Sequence, residues 1–526
     1  MPKARSKKFK KRSFHGNRHR NSVPKNNVST ASATKLNTLE SSDGLEYDFQ
    51  ELKGNRIIDI QTLLGVFSIL SCPKCFETGL KLTEDSKEGL CSNFAIVCKC
   101  GFMAGFTSTP KENKKCSLNT LLVFGLRLMG RRFSAGMKLL CTLNLPYVCK
   151  KTFRIHELKL LEAVKYSCEE NMKAESKEVQ NFKKTTTCGV SVDGTWQRRG
   201  HMSLNGCVSV ISIDTGKILD LEVMTQYCKM CEMNIKCDHE CSNYKGSSGN
   251  MESVGAFRIF ERSVMKRELQ YTEYYGDGDS KAFLKVKDIY GEDTVTKLES
   301  IGHVQKRVGS RLRKLKKKNQ RTRWKSNAGS IEKMQSAVIA AFFHCCSSNR
   351  NLMHGQCPDG KDSWCRYKRA LSDKRQYLEK SPGLPNSVMK VIKATYLELC
   401  DKNLLKKCLH GMTQNNNESF NNVLWTILPK ETFVQQKTLF LGSYIAVLLF
   451  NSGYLGLLPI FNYLKIPIVP LTLKKYMGID KERVMKSKRQ SLPSTKLSRK
   501  KQKAKKKSKL VKNEVKEGLT YKYGEF

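Results

Sequence analysis

The segment Cys188-Gly-Val-Ser-Val-Asp193-Gly-Thr-Trp196 is a short apolar run that ends in a carboxylate, followed by glycine, a hydroxyl and a large aromatic ring. Residues 204–213 are rich in β-branched side chains, Asp214-Thr-Gly216 has the composition of a turn, and residues 217–224 form a third apolar run. This pattern predicts three consecutive β-strands, with Asp193 at the end of the first. A carboxylate at that position is rigidly held, as metal-assisted chemistry requires.

Two later segments carry further carboxylates. Tyr274-Tyr-Gly-Asp277-Gly-Asp279 is predicted to end another strand, and Gln414-Asn-Asn-Asn-Glu418 to open a helix. A single Asp or Glu is most often a solvated surface group. The three segments together predict a metal-binding carboxylate trio.

The composition indicates a nucleic-acid partner. The chain has 526 residues, enough for two or three domains, and 94 Lys and Arg against 48 Asp and Glu give a formal net charge of +46. Such an excess points to a polyanion, and nucleic acid is favoured over an anionic membrane or a heparin-like polymer. Residues 438–464 carry no charge but contain glycines, asparagines and a proline, so a buried helix over Leu439–Phe450 is predicted in place of a membrane span.

The cysteines favour metal sites over disulfides. The chain has 21 of them, and its first residues lack the apolar core of a signal peptide, which predicts a reducing compartment. Cys72-Pro-Lys-Cys75 and Cys98-Lys-Cys100-Gly101 form a zinc-ribbon pattern, in which two tight turns direct four thiolates at one tetrahedral ion. The alternative is that these cysteines are buried without a metal ion. Cys91 lies between the two pairs but is not needed as a ligand.

Two further Cys/His clusters follow. Between residues 228 and 241 there are five candidate ligands, one more than a tetrahedral ion uses, and the favoured set is Cys228, Cys231 and Cys237 with either His239 or Cys241. The third cluster has only His354, Cys357 and Cys365. Its fourth ligand stays open between Cys345, Cys346 and a residue of the second cluster.

The predicted organisation is α/β with basic, disordered tails. A dense basic run follows the second carboxylate segment and is predicted to track phosphates, although such a run is more often a solvated helix face: Lys306, Arg307, Arg311, Arg313, Lys314, Arg321 and Arg323. The predicted boundaries are an N-terminal tail over 1–50, a zinc-ribbon-like module over 51–110, a helical region over 111–185, a strand-rich core over 186–325, a helical insertion over 326–410, the final catalytic helix region over 411–480 and a second tail over 481–526. The tails are predicted to bind nucleic acid or to act in nuclear import; solubilising segments are the alternative.

Several sequence motifs together resemble the Mutator-like transposase domain of animal mobile DNA elements. They are Ser191-Val-Asp-Gly-Thr-Trp196, Asn243-Tyr-Lys-Gly-Ser-Ser-Gly-Asn-Met-Glu252, Gly276-Asp-Gly-Asp-Ser-Lys281, Gly302-His-Val-Gln-Lys-Arg307, Cys357-Pro…Ser-Trp-Cys365 and Thr413-Gln-Asn-Asn-Asn-Glu-Ser-Phe-Asn421. The resemblance covers roughly residues 55 to 465. It implies a ribonuclease H-like catalytic core, with a helical insertion before the helix that bears the last carboxylate.

The resemblance also implies roles for individual residues. Asp193 matches the first acid of the DDE triad and Glu418 the last. The second acid is Asp277 or Asp279. Asp279 is favoured because, counted from Asp279, Leu284 falls at the position where the family pattern has an apolar helix residue. His303 matches the histidine of a Cys-x-x-His element, although Ser300 stands where the cysteine is expected.

The resulting hypothesis is a nuclear DNA transposase of the DDE type. Asp193, Asp279 and Glu418 would hold two Mg²⁺ or Mn²⁺ ions for strand cleavage and transfer at transposon ends, because hard carboxylate oxygens suit these ions and not zinc. The Cys/His clusters would hold structural Zn²⁺. The expected partners are the double-stranded DNA of the terminal repeats and target and further copies of the chain, with no membrane. The alternative is a domesticated, inactive nuclear DNA-binding protein; a scaffold that contacts only proteins is disfavoured by the charge.

Overall fold

A computed structural model describes residues 54–112, 115–198, 203–235, 241–276, 281–299, 329–379 and 383–517, together with residues 32, 35, 36 and 238. The chain divides into two compact units, one of residues 47–473 and the other of residues 1–46 with 474–526. Several predicted site residues lie outside the described ones: Cys237, His239, Asp277, Asp279, His303, Lys306, Arg307, Arg311, Arg313, Lys314, Arg321 and Arg323.

The first part of the large unit is a small antiparallel sheet followed by three helices. Helix α1 (Ile60–Ile69) begins after Asp59, whose carboxylate accepts hydrogen bonds from two backbone N–H groups of the first turn. The sheet contains β1 (Lys81–Glu88), β2 (Cys91–Val97) and β3 (Met103–Thr107), and a short hairpin of β4 (Lys111–Glu112) and β5 (Lys115–Cys116) leads out of it.

Helices α2 (Ser117–Leu128), α3 (Phe133–Thr142) and α4 (Lys150–Lys183) come next. Helix α4 has 34 residues, and one side of it is buried along most of its length. It lies within the helical region predicted over 111–185. Between Lys150 and Lys184 the chain has no Gly or Pro, and Lys184, which adopts the left-handed conformation, ends the helix.

A five-stranded mixed sheet forms the centre of the unit. Its strands are β6 (Thr187–Trp196), β7 (Asn205–Ser212), β8 (Ile218–Thr225), β9 (Gln270–Gly276) and β10 (Thr296–Glu299), in the spatial order β10-β9-β6-β7-β8. Strands β6, β7 and β8 form the predicted antiparallel meander, and β9 and β10 run parallel to β6. Strand β6 continues for three residues beyond Asp193, because Asp193 to Trp196 keep pairing with β7. The aspartate therefore lies within the strand, and its predicted place at the end of the strand is wrong.

Helices cover both faces of this sheet. After the short α5 (Lys229–Glu232), α6 (Met251–Glu261) and α7 (Ser263–Arg267) cover the face towards which Val190 and Val192 point, and α8 (Lys281–Val286) adds to the same core. Leu284, expected on the buried side of α8, is 68% exposed, and Ala282 and Val286 are the buried positions. The helical spacing that was used to choose Asp279 over Asp277 is therefore not supported.

A helical segment follows the sheet and returns the chain to it. Helices α9 (Ile331–Cys346), α10 (Arg366–Ser372), α11 (Asn386–Leu399) and α12 (Lys402–Lys406) precede α13 (Asn415–Ile427), α14 (Gln436–Ser452) and α15 (Leu458–Tyr463). This helical segment has its own hydrophobic core, which is formed mainly by α9, α11 and α12. Helix α14 is the predicted buried helix, with most of its side chains in the core. Of the helices in the described ranges, none combines the length and apolarity that crossing a bilayer requires.

The basic C-terminal segment is helical as far as residue 517. Helices α16 (Pro470–Ser491) and α17 (Pro493–Glu517) occupy residues that were predicted to be disordered, so that prediction is wrong for residues 481–517. Lys, Arg, Gln and Leu are good helix formers, and no Gly or Pro interrupts either helix after residue 478 apart from Pro493 at the start of α17. Low hydrophobicity and high charge led to the prediction of disorder, but they do not exclude a helical backbone.

Candidate active site

Polar side chains on one face of α13 form hydrogen bonds along strand β6. The bonds run from Gln414 Nε2 to the carbonyl oxygens of Val192 (3.1 Å) and Tyr275 (3.3 Å), from Ser191 Oγ to Asn417 Oδ1 (2.6 Å), from Asn421 Nδ2 to Asp193 Oδ2 (2.7 Å) and from Trp425 Nε1 to Thr195 Oγ1 (2.8 Å). These contacts fix both the register and the rotation of the helix on the strand.

The spacing of the bonded residues explains how the helix and strand match. Positions 414, 417, 421 and 425 lie three or four apart and therefore line one side of a helix, whereas residues 191, 193 and 195 alternate onto one face of a strand. Asn417 is fully buried and Gln414 nearly so. A buried amide is costly unless it is hydrogen-bonded, so the amides favour this one docking arrangement.

The same docking places Glu418 on the helix that contacts Asp193. Glu418 is four residues after Gln414 and three before Asn421, so it is next to both on the helix surface, and its side chain is exposed. Asp193 itself is half-buried. The structure thus brings together the elements that carry the first and last predicted acids, which are 225 residues apart in sequence (418 − 193).

Strand β9 leads the chain towards the same place. Tyr275 pairs with Ser191, and the described part of the strand ends at Gly276. The next residue is Asp277, which lies outside the described residues with Asp279. The strand that precedes the two aspartates is therefore adjacent to β6 and in register with the residues just before Asp193, and Gln414 bonds across both strands at this level.

Glu252, in the first turn of α6, is a fourth carboxylate at this site. A Cβ atom added to Gly194 would lie 3.0 Å from Glu252 Cβ and 3.2 Å from its Oε2, so the glycine makes room for this side chain. Burial raises the pKa of Glu252 to about 7, and the negative charge of Asp193 adds to the rise. Asp193 and Gly194 are consecutive residues of β6 and point to opposite faces of the strand, so Glu252 feels the charge of Asp193 from the other side of the strand. A carboxyl with a raised pKa beside this strand marks a candidate functional site.

The sequence did not identify Glu252 or the amides of α13 as functional residues. An acidic residue in the first turn of an amphipathic helix is the ordinary partner of the helix dipole, so Glu252 gave no separate signal. The amides did carry one: Gln414, Asn417 and Asn421 repeat at helical spacing on the side of α13 that also carries buried Phe420 and Leu424. Amides on a partly apolar face predict a bonded interface.

The four cysteines of the predicted zinc ribbon lie together beside the small antiparallel sheet. All four sulfur atoms are within 4.8 Å of one another: Cys72, Cys75, Cys98 and Cys100. The Sγ atoms of Cys72 and Cys100 are 3.6 Å apart, as are those of Cys75 and Cys98. Each pair sits on a tight turn, closed by Phe76 N–H to the Cys72 carbonyl and by Gly101 N–H to the Cys98 carbonyl. For Zn–S bonds of about 2.3 Å a tetrahedron separates sulfurs by about 3.8 Å, so this cluster could hold zinc.

The second cluster is partly described. Cys228, Cys231 and Cys241 lie with their sulfur atoms within 4.8 Å of one another, and those of Cys231 and Cys241 are 3.4 Å apart. Cys241 therefore belongs to the group, whereas the sequence left it as an alternative to His239. Three thiols at this spacing could bind zinc with one more ligand, and two candidates for it, Cys237 and His239, lie outside the described residues.

The sequence model of one protein family, described as Mutator-like transposase, matches residues 54–365, which is more than half of the 526 residues. The matched range includes the first cysteine cluster, Asp193 and Glu252, and it ends before Glu418. No curated protein matches the chain.

Proposed function

The chain belongs to the Mutator-like transposase family, and we propose that it cleaves and joins DNA strands at transposon ends through a metal-dependent site of the DDE type. Transposases as a class bind and cut DNA. The observation that carries the finer proposal is the docking of α13 on β6, in which Asn421 bonds Asp193 and the helix that bears Glu418 is held against the strand that bears the first acid.

The strand order supports a ribonuclease H-like core for this site. The meander β6-β7-β8 lies on one side of the sheet, and β9 and β10 are added in parallel on the other side of β6. This is the arrangement that such a core requires. The helical segment α9–α12 lies between β10 and α13, where the sequence resemblance implied an insertion.

The donors at the site fit a hard divalent cation. Asp193, Glu418 and one of Asp277 and Asp279 are the carboxylate ligands in the proposal, and Glu252 lies near enough to Asp193 for the charge of Asp193 to raise its pKa. Bound Mg²⁺ or Mn²⁺ would activate a water or 3′-hydroxyl nucleophile and stabilise charge on the leaving oxygen. The chain's own contribution is orientation: the amide of Asn421 holds one oxygen of Asp193, and the buried amides of α13 hold the helix in place.

DNA binding is proposed to rest on charge outside this site. The net charge of +46, the basic run from Lys306 to Arg323 and the lysine-rich helix α17 favour phosphate contacts along an extended partner. The partners in the proposal are terminal-repeat and target DNA and further copies of the chain, in the nucleus. His303 is kept as a candidate for the DNA-end chemistry.

The two cysteine clusters are proposed as structural zinc sites, the first of the zinc-ribbon type. The thiolates of Cys72, Cys75, Cys98 and Cys100 would complete one tetrahedral site. Cys228, Cys231 and Cys241 would share the second with Cys237 or His239. Soft thiolate ligands separate these ions chemically from the hard cations of the carboxylate site.

A strand-cleavage assay with the purified full chain tests the function. The substrate is duplex DNA that carries the sequences flanking the coding region at its genomic insertion, with Mg²⁺ or Mn²⁺ added. We expect Asp193→Asn and Glu418→Gln to bring cleavage below detection while DNA binding, measured by fluorescence anisotropy, stays within twofold of the parent. An amide is nearly isosteric with a carboxylate but lacks the charge that holds the cation. Glu162→Gln, an exposed carboxylate on α4, is the matched control and should cleave as the parent does.

Asp277→Asn and Asp279→Asn decide which aspartate serves the site, since only one of them should abolish cleavage. If all of these variants cleave as well as the parent, the carboxylate mechanism is wrong. If the parent binds this DNA tightly and does not cut it with either metal, the domesticated, inactive alternative is favoured.

A further inference from the structure

His344 completes a third cluster of metal-binding side chains, far along the chain from the carboxylates. It lies in the last turn of α9, His354 and Cys357 lie in the following loop, and Cys365 is the residue that precedes α10. One ligand atom from each of the four lies within 4.8 Å of the others. His354, Cys357 and Cys365 are buried, and His344 is half-buried.

The distances between the four atoms agree with a tetrahedron. The Nδ1 atoms of His344 and His354 are 3.0 Å apart; Cys357 Sγ is 3.6 Å from His344 Nδ1 and 4.0 Å from His354 Nδ1; and Cys365 Sγ is 3.6 Å from His354 Nδ1. For Zn–N bonds of about 2.0–2.1 Å and Zn–S bonds of about 2.3 Å, the expected separations are about 3.3 Å between nitrogens and about 3.5 Å between nitrogen and sulfur.

The groups around His354 are those that orient a metal-binding imidazole. Its other ring nitrogen, Nε2, lies 3.2 Å from Glu379 Oε2 and 3.0 Å from Ser347 Oγ. A carboxylate on the far nitrogen of a histidine fixes the tautomer that leaves Nδ1 free to bind a metal. Tyr367 stacks on the His354 ring, with centroids 4.8 Å apart, and Trp364 packs edge-on against the ring of His344. Both imidazoles are therefore held in orientation by their surroundings.

We propose that His344, His354, Cys357 and Cys365 form a structural zinc site that anchors the loop of residues 347–365 to the end of α9. Two thiolates and two imidazoles in a tetrahedral arrangement are typical ligands for zinc, and two thiolates balance its charge. Residues 347–365 contain no helix or strand, only a single bridge between Ser348 and Asn351. The metal would supply cross-links in a loop that lacks regular secondary structure. Because Cys365 directly precedes α10, the metal would also fix the start of that helix.

Zinc content of the purified full chain tests the site. Measured by inductively coupled plasma mass spectrometry, Cys365→Ser and His344→Ala should each contain one zinc per chain fewer than the parent. Cys346→Ser is the matched control, because Cys346 is a buried cysteine two residues from His344 and outside the cluster. It should keep the parent's zinc content. Cobalt-substituted Cys365→Ser should also lose part of the sulfur-to-cobalt charge-transfer absorbance.

A conservative variant covers the case in which Cys365→Ser does not fold. Cys365→His keeps four ligands, so it should recover both the missing zinc and the circular dichroism signal of the parent. Equal zinc contents in the parent, Cys365→Ser and His344→Ala would overturn the site. It would also be overturned if Cys365→His lost as much zinc as Cys365→Ser.

Discussion

Asp220 and Asp193 lie on the same central sheet, but the groups around them affect carboxyl pKa values in opposite directions. Asp220 on β8 is 1% exposed and accepts hydrogen bonds from two nitrogens of Arg262, both at 2.9 Å, and Arg267 approaches it to 3.3 Å. Burial alone would raise the pKa of Asp220, but the bonds to Arg262 and the charges of both arginines lower it. This cluster ties α6 and α7 to β8 and is compensated within the fold.

The acids around Asp193 have different surroundings. Asp193 accepts a hydrogen bond from the amide of Asn421, and Glu252, which packs against Gly194, has its pKa raised to about 7 by burial and by the charge of Asp193. The partners of Asp220 thus lower the pKa of an acid, whereas the surroundings of Glu252 raise it. Acids whose pKa is raised in this way are candidates for a functional site, in agreement with the cation site that we propose.

Removing the compensated acid should have the largest effect on stability. Asp220→Asn removes the buried carboxylate that Arg262 and Arg267 share and leaves them only Glu222 and Glu169, so we expect a loss of about 2–3 kcal/mol in the free energy of unfolding, measured by urea denaturation. Asp193→Asn is the control and should show no such loss. Because the pKa of Asp220 is lowered, its contribution is present at neutral pH and disappears only as the pH falls below the ordinary carboxyl value. The deficit of Asp220→Asn should thus be equal at pH 7 and pH 6; equal stability of the two variants would break the comparison.

Removing the second acid should give a smaller effect of opposite sign. Glu252→Gln removes a carboxylate whose charge is disfavoured by burial and, in addition, by the charge of Asp193, so with EDTA present its Tm should rise by a few degrees above that of the parent. A carboxyl with a raised pKa stabilises the fold fully below its unfolded value, and that contribution is lost as the pH rises through about 7. The gain from Glu252→Gln should therefore be larger at pH 8 than at pH 5.

Added Mn²⁺ sharpens this prediction. Ligand binding to the folded state stabilises it, so Mn²⁺ should raise the Tm of the parent more than that of Glu252→Gln. Thermal denaturation followed by circular dichroism gives both values. A Tm for Glu252→Gln that stays below the parent's at pH 8 in EDTA would show that the two carboxylates do not repel.

The smallest effect expected of either acid is on DNA affinity. Affinity should depend on released counterions, so the slope of log Kd against log salt should be the same for the parent, Asp193→Asn and Asp220→Asn at temperatures where all are folded. A chain without residues 1–20 and 493–526 should have a shallower slope, because it lacks the basic N-terminus and α17. An unchanged slope in the shortened chain would show that neither terminal segment contacts phosphate.

The sequence predicted the elements of the core better than the contacts between them. Apolar runs and turn residues predicted the three strands β6, β7 and β8, and the helical insertion predicted over 326–410 contains α9, Ile331–Cys346. His344 escaped notice because a histidine within that apolar helix has no ligand spacing to its partners. Glu252 escaped for a similar reason, since its position against Gly194 depends on the packing of α6. Local pattern predicts a helix or a strand, but a ligand set assembled from separate elements is a property of the folded chain.

The bond between Asn421 and Asp193 joins residues that are 228 positions apart. At about 5–20 residues per second on the ribosome, roughly 10–50 seconds separate the synthesis of the strand from that of the helix that docks on it. During that interval the nascent chain carries its basic N-terminus and first metal-binding module but lacks Glu418. A chain cut short before residue 415 would lack α13 together with the buried side chains of α14, so it would have neither the bond to Asp193 nor the packing behind that helix. Under the proposed function, such truncated copies should not cut DNA even though they keep every residue of β6.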